Sequence, residues 1–248
     1  ELEGKFGPLT SERLLQAIAT GDAALEAADY FAQVRHYSGY SPSKLVSQRG
    51  SAGELIEGLR TPLAVALTRS GRARQAEAIV APLPDDNDPA LRARALAAAY
   101  AGKHAASDAM FARAVARTPS LPLGHQMWAE ALLARGDFKR AIAQAELANR
   151  KGPRWAEPLK LWGDALAAGR QVREAEAKYA AAAERAPRWG KLHLQWANAL
   201  WRLGQRRDAL AKLRQAAAMD LSAADRKLLQ TMARNARSKL SRRFPQTT

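Results

Sequence analysis

Four histidines, His36, His104, His125 and His193, are the residues best suited to general acid-base or metal chemistry, and they are scattered along 248 residues. The chain has no cysteine, which removes disulfides, thiolate metal sites and cysteine nucleophiles and leaves the redox compartment open. No glycine-rich phosphate loop, serine nucleophile elbow or His-Glu zinc helix stands in the sequence. Neither catalysis nor a metal or cofactor is therefore expected. The tryptophans are more orderly: Trp128, Trp162 and Trp196 are spaced by 34 residues, and Trp155 and Trp189 by the same interval.

That interval belongs to a longer phrase. "PRWAEPLKLWGDAL" begins at Pro153 and "PRWGKLHLQWANAL" at Pro187, and a third copy, "PSLPLGHQMWAEAL", begins at Pro119. Ala129, Gly163 and Ala197 share one position of the period, and Leu132, Leu166 and Leu200 another. Ala141, Ala175 and Ala209 follow, then Ala148, Ala182 and Ala216. A weaker copy runs through Ala95, Gly102, Ser107, Phe111 and Ala114, and a shorter one through Leu63, Ala64, Leu67, Gly71, Ala76 and Val80. A fixed period of this size marks stacked supersecondary units, none of which buries its apolar face alone.

Composition says what the units are made of. Ala, Leu, Arg, Lys, Glu and Gln dominate, while Val, Ile and Thr are sparse, so the vocabulary is helical. Each period has room for two helices of about a dozen residues. "ARGDFKRA" supplies the turn between them, with Gly136 to end one helix and Asp137 to start the next. Gly102 and Gly204 fall at the same place and Gly169 one residue early, while Pro119, Pro153 and Pro187 close the second helices. His125 and His193 occupy one repeat position two units apart. With neighbouring helices about 8–10 Å apart they cannot share a metal ion, and they read as packing residues.

The pattern resembles the tetratricopeptide repeat (TPR) family, clearly over 88–223 and weakly from Glu57. The resemblance implies an all-α, right-handed superhelical solenoid of antiparallel helix pairs. Residues 57–223 would form about five units, with 1–56 as an N-terminal helical cap or the remnant of an upstream domain. Residues 224–248 would be a C-terminal capping helix and basic tail, opened by a capping box at Ser222 and Asp225. In similar proteins the first helix of each unit lines a concave groove. Carried over, those positions are Arg92, Leu96 and Tyr100; Gln126 and Glu130; Lys160 and Asp164; and Lys191, Leu194, Asn198, Trp201 and Arg202. Trp201 is left open between ligand contact and packing. Asp164 beside Lys160 departs from the subfamily that grips chaperone carboxylate tails, and would repel a carboxylate.

The resemblance implies a non-catalytic scaffold that holds a peptide or helix of another protein. Self-association into a homo-oligomer is a further reading. A formal charge of +15 favours anionic partners. Arg226, Lys227, Arg234, Arg237, Lys239, Arg242 and Arg243 carry seven of the basic charges with no acidic residue among them. This basic helix supports the alternative of binding nucleic acid or an anionic surface. No apolar run approaches the roughly 20 residues of a membrane span. The chain thus reads as soluble, cytoplasmic or periplasmic. Its Ala- and Arg-rich usage points to a GC-rich bacterial source, and Glu1 to either a processed form or a piece of something longer.

Overall fold

The computed structural model describes residues 52–219, 221 and 223–241. The helical hairpin expected before residue 52, the Ser222 half of the expected capping box, and Arg242 and Arg243 lie outside these residues. Every regular element described is a helix. The elements are α1 (Ala52–Arg69), α2 (Ala73–Val80), α3 (Asp88–Tyr100), α4 (His104–Arg117), α5 (Pro122–Ala134), α6 (Phe138–Lys151), α7 (Ala156–Ala168), α8 (Val172–Arg185), α9 (Gly190–Arg202), α10 (Arg206–Ala217) and α11 (Ala223–Ser241). The chain divides into two compact units, Glu1–Ala114 and Val115–Thr248.

In the first unit α1 packs against α2 and α3. Leu63, Leu67, Ile79, Val80 and Leu83 form the apolar centre, with Ala90, Ala93 and Ala97 of α3 closing it. Asn87 starts α3 by accepting the Ala90 amide at 2.9 Å, and Pro89 occupies the first turn, where its missing N–H costs nothing. Arg94 then reaches back to the end of α2: its guanidinium donates to the Val80 carbonyl at 2.9 Å and to Asp85 at 2.9 Å. A helix C-terminus leaves carbonyls unpaired, and a guanidinium both fills and neutralises them. The Ser107 hydroxyl on α4 donates to the Ala95 carbonyl at 2.8 Å, a buried bond that ties α4 to α3.

The second unit repeats one plan. α5 pairs with α6, α7 with α8, and α9 with α10; α6 packs on α7, and α8 on α9. The first helices α5, α7 and α9 are also neighbours in that order. α11 lies against α10 and α9, where Met232, Leu228 and Leu229 meet Leu194, Ala197 and Leu213.

The turns follow the sequence with one exception. Gly102, Gly136 and Gly204 take φ near +80°, the left-handed geometry that ends a helix within two residues. At the corresponding place in the α7–α8 turn stands Arg170, with φ 67°. Gly169, one residue early, ends α7 at φ −75° and leaves Arg170 the left-handed position. Pro119, Pro153 and Pro187 stand two residues beyond the ends of α4, α6 and α8, where proline stops further winding.

Candidate functional site

The helices α5, α7 and α9 carry two rows of equivalent side chains, four residues apart on each helix and so on one face of it. One row is Gln126, Lys160 and Leu194; the other is Glu130, Asp164 and Asn198. The first row is buried, and the second is half-buried and reaches solvent. Lys191 and Arg202, at the two ends of α9, are exposed. All belong to the second unit.

The middle of this wall is a polar cluster. Lys160 donates to the Asp164 carboxylate one turn along α7. Tyr179, from α8, donates its hydroxyl to the other carboxylate oxygen at 2.9 Å. Burial pushes the Tyr179 phenol well above its usual range, and Asp164 adds to this through its charge and its hydrogen bond; Arg202 opposes. The phenol therefore stays protonated and acts as a fixed donor. Two donors, Lys160 and Tyr179, hold Asp164, so its carboxylate is already partly satisfied. Gln126 offers the opposite case, a buried Oε1 with no hydrogen-bond partner. Buried amide oxygens are rarely left so, and each one costs about 1–3 kcal/mol.

Tyr179 was not legible as a wall residue, because in sequence it occupies the aromatic slot of a second helix and reads as core filler. It is both: its ring is 1% exposed, and its hydroxyl reaches the wall. The available signal was Gly163, which replaces the Ala of neighbouring copies. A Cβ at Gly163 would meet the Tyr179 ring at 2.7 Å.

Other groove candidates divide by burial. Leu194 is fully enclosed between α10 and α11, so it has no side-chain surface for a partner. Trp201 is half-buried against the same cluster, with the Arg206 guanidinium 5.3 Å from its ring centre. In the first unit Leu96 is likewise fully buried, while Tyr100 is exposed. Arg92 is buried one turn after Asp88; burial lowers its pKa, Asp88 opposes this, and its Nη1 has no hydrogen-bond partner.

Of the described histidines, His125 and His193 are packing residues and His104 is exposed. His125 Nδ1 meets Gln144 Oε1 at 2.7 Å, and His193 Nε2 donates to the Pro187 carbonyl at 2.9 Å. The Trp196 ring lies near those of Tyr179 and His193, and Lys212 lies 3.5 Å from its ring centre. Lys178 covers Trp162 in the same way at 3.6 Å. Burial lowers the Lys212 pKa, and Glu176 opposes this. Trp189 packs against the α7–α9 core, but Trp155 is 43% exposed. Between α6, α7 and α8 lies a shallow depression floored by Phe138, Ile142, Trp162 and Leu166, with Glu174 and Lys178 at its rim.

This succession of helix pairs is matched in solved structures. Yeast Tom70 aligns over 94% of this chain and 52% of its own, at 16% identity and a TM-score of 0.61. MamA, residues 41 to the end, from Desulfovibrio magneticus RS-1 aligns over 66% of this chain and 94% of its own, at 17% identity and a TM-score of 0.50. Both are TPR-type helical repeat proteins. This chain has the tetratricopeptide-repeat fold. It spans about half the length of Tom70. No protein-family model and no curated protein sequence matches it.

The repeat fold explains the two rows. Successive TPR units superpose position on position, so the residues at one register form a line across α5, α7 and α9. Among the described residues no group of His, Asp or Glu is placed to hold a metal ion. No described helix is long and apolar enough to cross a membrane.

Proposed function

We propose that the chain is a protein-interaction scaffold, and that the wall formed by α5, α7 and α9 holds an extended or helical segment of a partner protein. One contrast carries the reading. Between copies, the packing positions hardly vary: Ala129, Gly163 and Ala197 at one, Leu132, Leu166 and Leu200 at the next. At the wall positions the same copies carry Glu130, Asp164 and Asn198, or Gln126, Lys160 and Leu194. A repeat selected only to stack has no need of such differences on its first helices. Carboxylates along α5 and α7, with cations at the ends of α9, give a wall of mixed sign. It suits a segment that presents donors over Glu130 and Asp164 and an acidic group near Arg202 or Lys191.

A random-peptide display selection tests this directly. Peptides enriched on the wild-type chain are rebound to Glu130→Lys with Arg202→Glu, and to Lys139→Glu with Glu174→Lys on the α6–α8 side. The wall reading requires at least about tenfold weaker binding in the first variant and little change in the second. Equal loss in both, or loss only in the second, would move the binding surface away from the first helices.

A further inference from the structure

The two last helices carry a repeated arrangement of cations that the wall does not use. Arg206, Arg207 and Arg214 lie on α10, and Arg226, Lys227 and Arg234 on α11. Each set has the spacing i, i+1, i+8, and all six residues are exposed. On a helix this spacing confines three side chains to about 100° of arc and spreads them over about 12 Å of its length. The buried residues Ala209, Leu213 and Ala216 of α10 fall outside that arc, and on α11 the inward-facing Leu228, Leu229 and Met232 lie opposite it. α10 and α11 pack against each other, so the two stripes sit on adjoining helices. The acidic residues beside them are Asp208 on α10 and Asp225 on α11.

We infer that these stripes bind the phosphate backbone of nucleic acid. Five of the six cations are arginine, whose planar fork pairs with phosphate oxygens through two hydrogen bonds. A membrane-surface helix would need a free apolar face, whereas α11 spends its apolar side on α9 and α10. An acidic protein partner would be anchored by buried apolar contacts at the centre of the interface. Neither α10 nor α11 has a large exposed apolar side chain among its described residues. Phosphate binding needs no such centre, because counterion release supplies the affinity. The Arg206 guanidinium, stacked by Trp201, is held in place for contact.

The test is fluorescence anisotropy on the full chain with a labelled single-stranded RNA and a labelled duplex DNA of mixed sequence, between about 50 and 200 mM salt. Six phosphate contacts give a slope of log affinity on log salt of about −4 for the single strand and about −5 for the duplex. Arg207→Glu with Arg214→Glu and Arg234→Glu is expected to weaken binding at least about tenfold and flatten the slope. Glutamine at the same three positions gives a smaller loss in the same direction without added repulsion, should the glutamate variant melt early. Reversal at three exposed arginines elsewhere, Arg74, Arg154 and Arg188, is expected to leave affinity within about threefold. Absence of binding to both nucleic acids at the lowest salt overturns the inference, as does equal loss in the control variant. Preference for anionic phosphatidylserine vesicles over both oligonucleotides overturns it too.

Discussion

At the scale of single residues, the α7–α8 pair is set by a trade between Gly163 and Tyr179. The equivalent residues in the α9–α10 pair are Ala197 and Leu213, packed in one cluster. A Cβ at 163 would meet two ring atoms at 2.7 and 2.8 Å, and a ring 1% exposed has nowhere to go. Gly163→Ala is therefore expected to destabilise by about 1–3 kcal/mol in urea unfolding. The same substitution should cost clearly less beside Tyr179→Leu, the combination the next repeat already uses. Tyr179 also gives a pH signature. Its folded pKa lies above the ordinary 10.0, so its contribution is complete below pH 10.0 and is lost as the pH rises beyond it. Stability of Tyr179→Phe should fall less steeply than wild type in that alkaline window, measured as Tm against pH. Arg170 is a third case: a non-glycine residue in the left-handed region costs about 1–2 kcal/mol. Offset by glycine's greater unfolded-state entropy, Arg170→Gly should stabilise by about 0.5–1 kcal/mol, read from the denaturation midpoint. The slot itself was legible from Gly136 and Gly204. Gly169 one step early was legible too. That Arg170 itself takes the left-handed conformation was not, because α7 ends on the period at Ala168 and the turn geometry is kept although the residue in the slot is not glycine.

At the scale of elements, the 34-residue spacing specified the helix pairs, their turns and their closing prolines, because small residues and breakers recur at fixed steps. It specified less well which side chains face a partner. Leu96 stands at the register of Glu130, Asp164 and Asn198, yet it is enclosed while they are half-buried, so register alone does not set burial; Leu194 shares the burial of Gln126 and Lys160. Trp155 shows the reverse, an aromatic in a packing register that stands 43% exposed. The capping helix α11 follows from the same logic: the last repeat ends in an apolar face, and Leu228, Leu229 and Met232 cover it. Truncation before Ala223 would expose Leu194, Ala197 and Leu213 together. Such a variant is expected to melt lower by several degrees, about 2–4 °C for each kcal/mol lost, and to associate at micromolar concentration. Thermal circular dichroism and light scattering measure the two effects. An unchanged Tm and a monomer would mean that α11 is dispensable for packing.

At the scale of the whole molecule, a repeat fold separates what holds the chain together from what distinguishes it. Stacking uses Ala, Gly, Leu and the cation-covered tryptophans, and their roles are the same in copy after copy. The proposed binding surface is the half-buried row of Glu130, Asp164 and Asn198 with the cations of α9, which differ between copies. This division makes the central claim measurable by hydrogen–deuterium exchange on the chain with and without a peptide from the display selection. We expect added protection on α5, α7 and α9, strongest on α7 around Lys160 and Asp164, with α6, α8 and α10 little changed. Protection confined to α6 and α8, over the depression at Phe138 and Trp162, would contradict the first-helix wall as the binding surface.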